Sequence, residues 1–131
     1  MVGLILATHG TMAAAALDVA SMFLGEQEKV SCISFLAGDS LETLMDRFQT
    51  AIAELGTVDG VLILTDLKGG SPCNVATLYQ KTTSNVQALY GFNVPMLLEL
   101  LDAREQTSAL DKLVQAALDA GAREMGSIVI D

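Results

Sequence analysis

Apolar residues in this chain follow two rhythms: in four short stretches they run almost unbroken, and between these they recur every three or four positions. A short unbroken run suits a parallel strand covered on both faces, whereas 3-4 spacing suits one buried stripe of a helix. The runs are Leu4-Ile5-Leu6-Ala7, which leads through Thr8 to His9, then Val30 to Phe35, Gly60 to Thr65, and Val86 to Tyr90. Between the first two, Met12 to Leu24 predicts a helix with Ala13, Ala16, Leu17, Ala20, Phe23 and Leu24 inward and Gly25 as its stop. A second helix carries Leu41, Leu44, Met45, Phe48, Ile52 and Leu55, opened by Asp39 and Glu42 at capping-box spacing and ended at Gly56.

After the third run, Gly69-Gly70 supplies a turn, Ser71 an N-cap and Pro72 the first helical position of a helix reaching Lys81. A fourth helix passes through Val94, Pro95, Met96, Leu97, Leu98 and Leu101. A fifth is opened by Ser108 and Asp111, carries Leu110, Leu113, Val114, Ala117 and Leu118, and is closed by Gly121. Ser127 to Ile130 reads as a last apolar strand, lying antiparallel at an edge or crossing to a second subunit. Alternation of strand and helix predicts an α/β fold: a doubly wound, mainly parallel sheet of order 2-1-3-4 with helices on both faces.

The length of 131 residues suits one domain, so residues 1–131 are expected to form a single unit. Sixteen acidic against seven basic residues give a net charge of -9, which disfavours nucleic acid and anionic membrane surfaces as partners. Cys32 and Cys73 make no C-x-x-C pair and there is one histidine, so no metal site of the usual zinc kind is expected, and no cofactor is implied. No apolar run approaches the ~18 residues of a membrane span, and the amino terminus lacks a basic region followed by an apolar core and cleavage site. The expectation is a cytoplasmic chain with reduced thiols.

Candidate chemistry gathers where ligands meet open α/β sheets, outside the carboxyl ends of the strands at the switch point. With order 2-1-3-4, strands one and three are neighbours, and their carboxyl ends are His9 and Asp66. A carboxylate facing an imidazole fixes the ring's tautomer and stabilises positive charge upon it. The amino end of the third helix enters the same crevice, offering N–H groups at Gly70, Ser71 and nearby residues to an anion. Nucleophilic imidazole, orienting carboxylate and anion-binding helix end together fit a histidine that accepts a phosphoryl group, with His9 and Asp66 catalytic and Gly70, Ser71 and Thr8 binding phosphate. The plainer alternative makes His9 a strand-end packing residue, Ser71 only an N-cap and Thr8 and Thr11 turn residues. An Asp66 bond to Nδ1 would leave Nε2 as the nucleophile. Neither a G-x-x-x-x-G-K-[ST] nor a G-x-G-x-x-G motif is present.

Three motifs in order, Thr8-His9-Gly10, Asp66-Leu67-Lys68-Gly69-Gly70-Ser71-Pro72-Cys73-Asn74 and Gly91-Phe92-Asn93-Val94-Pro95-Met96, resemble the mannose-type enzyme IIA domain of the phosphoenolpyruvate-dependent sugar phosphotransferase system. Leu24-Gly25-Glu26 and Gly38-Asp39 also match. The resemblance implies a phosphohistidine carrier that accepts phosphate from the phosphocarrier protein HPr on His9 and passes it to an enzyme IIB component. Asp66 would orient the histidine, and Ser71 is the serine of the Gly-Gly-Ser-Pro turn. It further implies a homodimer that exchanges its last strand and meets the membrane only indirectly, through the IIC/IID permease. The sequence contains no Ala-Pro linker or IIB segment, and nothing in it names the sugar. A related protein feeding dihydroxyacetone kinase, or a regulatory module read out through His9 phosphorylation, would share the strand-end histidine. The first usually lacks the full Gly-Gly-Ser-Pro and Asn-x-Pro motifs present here.

Overall fold

The computed structural model describes all residues, Met1–Asp131. The elements are β1 (Gly3–His9), α1 (Met12–Leu24), β2 (Val30–Phe35), α2 (Leu41–Leu55), β3 (Val61–Thr65), α3 (Ser71–Thr82), β4 (Val86–Leu89), α4 (Val94–Ala103) and α5 (Leu110–Arg123). All pairings are parallel and the sheet order is β2-β1-β3-β4, as the alternation of elements predicts.

Side chains of successive strand residues point to opposite faces, and here both faces are apolar. Leu4, Leu6, Leu62 and Leu64 pack against α1, α4 and α5, while Ile5, Ala7, Val61 and Ile63 pack against α2 and α3. Small residues Ala13, Ala16 and Ala20 bring α1 close to the sheet. Its last turn lies beyond the buried interface, so Phe23, expected inside, is 71% exposed, and Leu24 is also exposed. Leu41 and Met45 of α2 are exposed as well; Leu44, Phe48, Ala51 and Leu55 form its buried stripe.

Three helix starts differ from expectation by a residue, and only at α2 does a capping side chain satisfy a free N–H donor. The cap of α2 is Ser40, whose hydroxyl accepts from Thr43 N–H at 3.1 Å; Asp39 instead accepts from Leu36 N–H and pairs with Arg47. The cap of α3 is Gly70, with Ser71 already helical. At α5, Ala109 is the cap and Ser108 donates its hydroxyl to Asp59. Gly121 does not end that helix. It lies within it at close approach to α4, and Asn93 Nδ2 donates to its carbonyl at 3.1 Å.

The expected fifth strand does not form within the chain. Ser127 to Ile130 has no regular structure and Ile130 is 90% exposed, with the segment pairing to neither outer strand of its own sheet. At the amino end of the sheet the buried Arg104 donates to the carbonyls of Val2, Lys29 and Glu28, tying α4 to the starts of β1 and β2.

Candidate active site

The carboxyl ends of β1 and β3 bring His9 and Asp66 together as the topology requires. His9 Nδ1 lies 2.9 Å from Asp66 Oδ2, and the same oxygen accepts the backbone N–H of His9 at 3.0 Å. The carboxyl side chain is 11% exposed and the imidazole 42% exposed. Burial works against the Asp66 charge, yet the bonds from the His9 ring and backbone and from Leu67 N–H hold its carboxyl below the usual carboxylate range. An ionised carboxylate only accepts hydrogen bonds, so Nδ1 carries the proton. The neutral ring then presents the Nε2 lone pair.

Asp66 is itself fixed from behind. Gly91 N–H donates to its backbone carbonyl at 3.0 Å, and Phe92 N–H to that of Thr65 at 3.0 Å, which fastens the loop before α4 to the end of β3. Thr65 Oγ1 adds a buried bond to the Leu89 carbonyl at 2.7 Å.

The two glycines of the turn have separate duties. Gly69 has φ +79 and makes the left-handed turn, whereas Gly70 has φ -71 and needs no conformational freedom. What Gly70 supplies is closeness: a Cβ there would lie 2.8 Å from His9 Cε1 and 3.5 Å from Nε2. Its N–H, expected to be free for an anion, donates to the Leu67 carbonyl at 3.1 Å and is already used. Ser71 and Cys73 keep backbone N–H groups without a backbone partner at the start of α3, and no side-chain cap competes for them. The amino end of a helix with free donors favours an anion.

Of the two roles open to Thr8, phosphate contact and turn residue, its bonding serves the second. It is wholly buried, and its Oγ1 accepts from Ala13 N–H at 3.0 Å, so its hydroxyl secures the turn into α1 rather than facing the crevice. Thr11 occupies the α1 cap position without a capping bond. Lys68 sits 5.4 Å over the Tyr90 ring.

Reasoning from sequence alone missed Phe35. As the register partner of His9, it meets the imidazole edge-on, with ring centroids 5.8 Å apart and planes at 72°. Equal-length apolar runs ending in His9 and Phe35 are the signal that could have found it. Met12, Leu36, Leu67 and Tyr90 lie exposed on the same rim. The half-exposed imidazole of His9 therefore lies on an open, partly apolar surface.

The chain is also similar to known proteins in sequence and fold. The family model EIIA-man, described as PTS system fructose IIA component, matches residues 3–118. The PTS system mannose-specific EIIAB component of Escherichia coli K12 is 39% identical over 120 residues, covering 92% of this chain and 37% of that protein. The chain thus spans little more than a third of that relative. Among solved structures, the mannose/sorbose specific IIA subunit from Enterococcus faecalis superposes with a TM-score of 0.87 at 31% identity, covering 98% of this chain and 96% of the other. Component EIIA from Streptococcus agalactiae gives 0.88 at 29% identity, with 97% of each chain covered.

Proposed function

The chain belongs to the EIIA-man family of the sugar phosphotransferase system, and on that premise we propose that residues 1–131 form one phosphocarrier domain in which His9 carries the phosphoryl group. The supporting observation is the Asp66–His9 bond, which puts the proton on Nδ1 and leaves Nε2 nucleophilic beside the start of α3. The donor is a phosphohistidine of HPr and the acceptor an enzyme IIB component.

The step is an exchange of one N–P bond for another. The Nε2 lone pair attacks phosphorus in line, the N–P bond of the donor breaks, and its electron pair returns to the donor imidazole. The Nδ1 proton stays on His9, where Asp66 stabilises the positive charge that builds on the ring. Phosphate oxygens are received by the N–H groups of Ser71 and Cys73 and by the Ser71 hydroxyl, with Gly70 allowing the close approach. Passage to the acceptor is the same step reversed. An exposed nitrogen on an apolar rim suits this role, since both partners are proteins and must bring their own reactive atoms to it.

Assembly follows from the tail. Ile128, Val129 and Ile130 are exposed apolar residues without partners in their own chain, and β4 is an outer strand. The reading is a homodimer in which each tail pairs with the sheet of the other copy.

Radiolabelled phosphoenolpyruvate with the general phosphotransferase proteins tests the carrier role. Label should reach the chain only when HPr is present and should be acid-labile and alkali-stable. Labelling of His9→Ala to the same extent would overturn the assignment.

A further inference from the structure

We infer that Phe35 is a positioning residue for phosphoryl transfer, holding the His9 ring in the plane from which Nε2 attacks. This rests on the carrier reading and goes beyond it, because Asp66 alone does not fix the ring. One hydrogen bond at Nδ1 leaves the imidazole free to swing about that contact. Two further contacts remove the freedom. One is with Gly70, so near that a Cβ would meet Cε1 at 2.8 Å; the other is with the Phe35 ring, edge-on at 5.8 Å between centroids. Aromatic rings prefer such T-shaped arrangements to face-to-face stacking, so the contact favours one orientation rather than merely filling space.

Phe35 is well anchored for this task. It pairs with His9 in the β1–β2 register, its carbonyl accepts Gly10 N–H at 2.8 Å, and its side chain packs against the core beneath α2 and α3. The aromatic ring is therefore tied to the strand next to the histidine and cannot drift independently. A side chain of equal hydrophobicity without a ring would keep the core covered while losing the directional contact.

Phe35→Leu and Phe35→Tyr separate ring positioning from packing. Phosphoryl uptake from phospho-HPr should fall roughly ten-fold in Phe35→Leu at saturating donor, with half-saturation changed less than about two-fold, because misalignment of reacting atoms slows the step rather than the encounter. Phe35→Tyr should recover most of the rate. The single histidine also permits ¹⁵N NMR without any donor: the wild type should show one tautomer, protonated at Nδ1, and Phe35→Leu an averaged signal. Wild-type rate and spectrum in Phe35→Leu, a loss residing wholly in donor affinity, or a tyrosine no better than leucine would each overturn the inference. If even the wild type takes no phosphate, the carrier reading fails, and the spectra still decide whether Phe35 orders the ring.

Discussion

Gly70→Ala should leave the fold intact and disable the site. The backbone at Gly70 has φ -71 and ψ 164, which alanine adopts without strain, and such replacements commonly stabilise by about 0.4–1 kcal/mol through the unfolded chain. The new Cβ, however, would sit 2.8 Å from His9 Cε1 and 3.3 Å from the Leu67 carbonyl oxygen. Carbon atoms pack at about 3.5–4.0 Å, so the imidazole must retreat by roughly 0.7 Å or more. With Nδ1 bound to Asp66 at 2.9 Å, that retreat tilts the ring and carries Nε2 away from the N–H groups of Ser71 and Cys73. A displacement of about 1 Å in a reacting atom can cost roughly 100-fold in rate, so a ten- to hundred-fold loss is expected, about 1.4–2.7 kcal/mol in the barrier. Rapid-quench transfer from labelled phospho-HPr would measure the rate, and a thermal melt the stability. A variant that transfers at the wild-type rate would refute the packing of His9 against Gly70; one that melts far lower would refute the claim that Gly70 serves the site rather than the fold.

Other consequences are separable. Asp66→Asn should slow transfer by about ten-fold or more while folding normally, and its effect on stability has a defined pH window. Because the folded carboxyl lies below 3.8, the charge contributes stability above that value and the contribution is lost as pH falls through the lower folded value; denaturant melts of wild type and variant should therefore converge only in that acidic range. Burial, and then the nearby Asp18 charge, push the Cys32 thiol from 9.0 up to about 11. The unfolded thiol ionises first, so Cys32 should lower stability as pH rises from 9 towards 11, and Cys32→Ala melts should lack that slope. Removing Ser127 to Asp131 should convert a dimer to a monomer in sedimentation; an unaltered mass would remove the tail from the interface.

What the sequence made legible was whatever hydrophobic rhythm controls. The order of β1 and β3 followed from element alternation, and with it the meeting of His9 and Asp66 across 57 positions. Rhythm says less about where a buried stripe ends, so Phe23 read as core although α1 has passed the covered surface by then. Cap positions slipped by a residue because Asp39, Ser40 and Ser71 are all chemically able to cap, and only the backbone angles choose among them. Thr8 had two roles open to it because strand alternation beside a turn leaves its facing undecided, and its hydroxyl takes the turn role under α1. Gly70 was credited with a free N–H when its contribution is the absence of a side chain. Both Gly70 and Phe35 act through distance to His9, a quantity that no local pattern encodes.

Phosphoryl transfer in this chain centres on one atom, Nε2 of His9. With histidine labelled in ¹⁵N, the phosphorylated chain holds a single imidazole, and one-bond coupling to ³¹P identifies the substituted nitrogen directly. The coupling should appear at Nε2, with Nδ1 still carrying its proton against Asp66. Phosphorus on Nδ1, or no coupling to the ring at all in a fully labelled chain, would contradict the account.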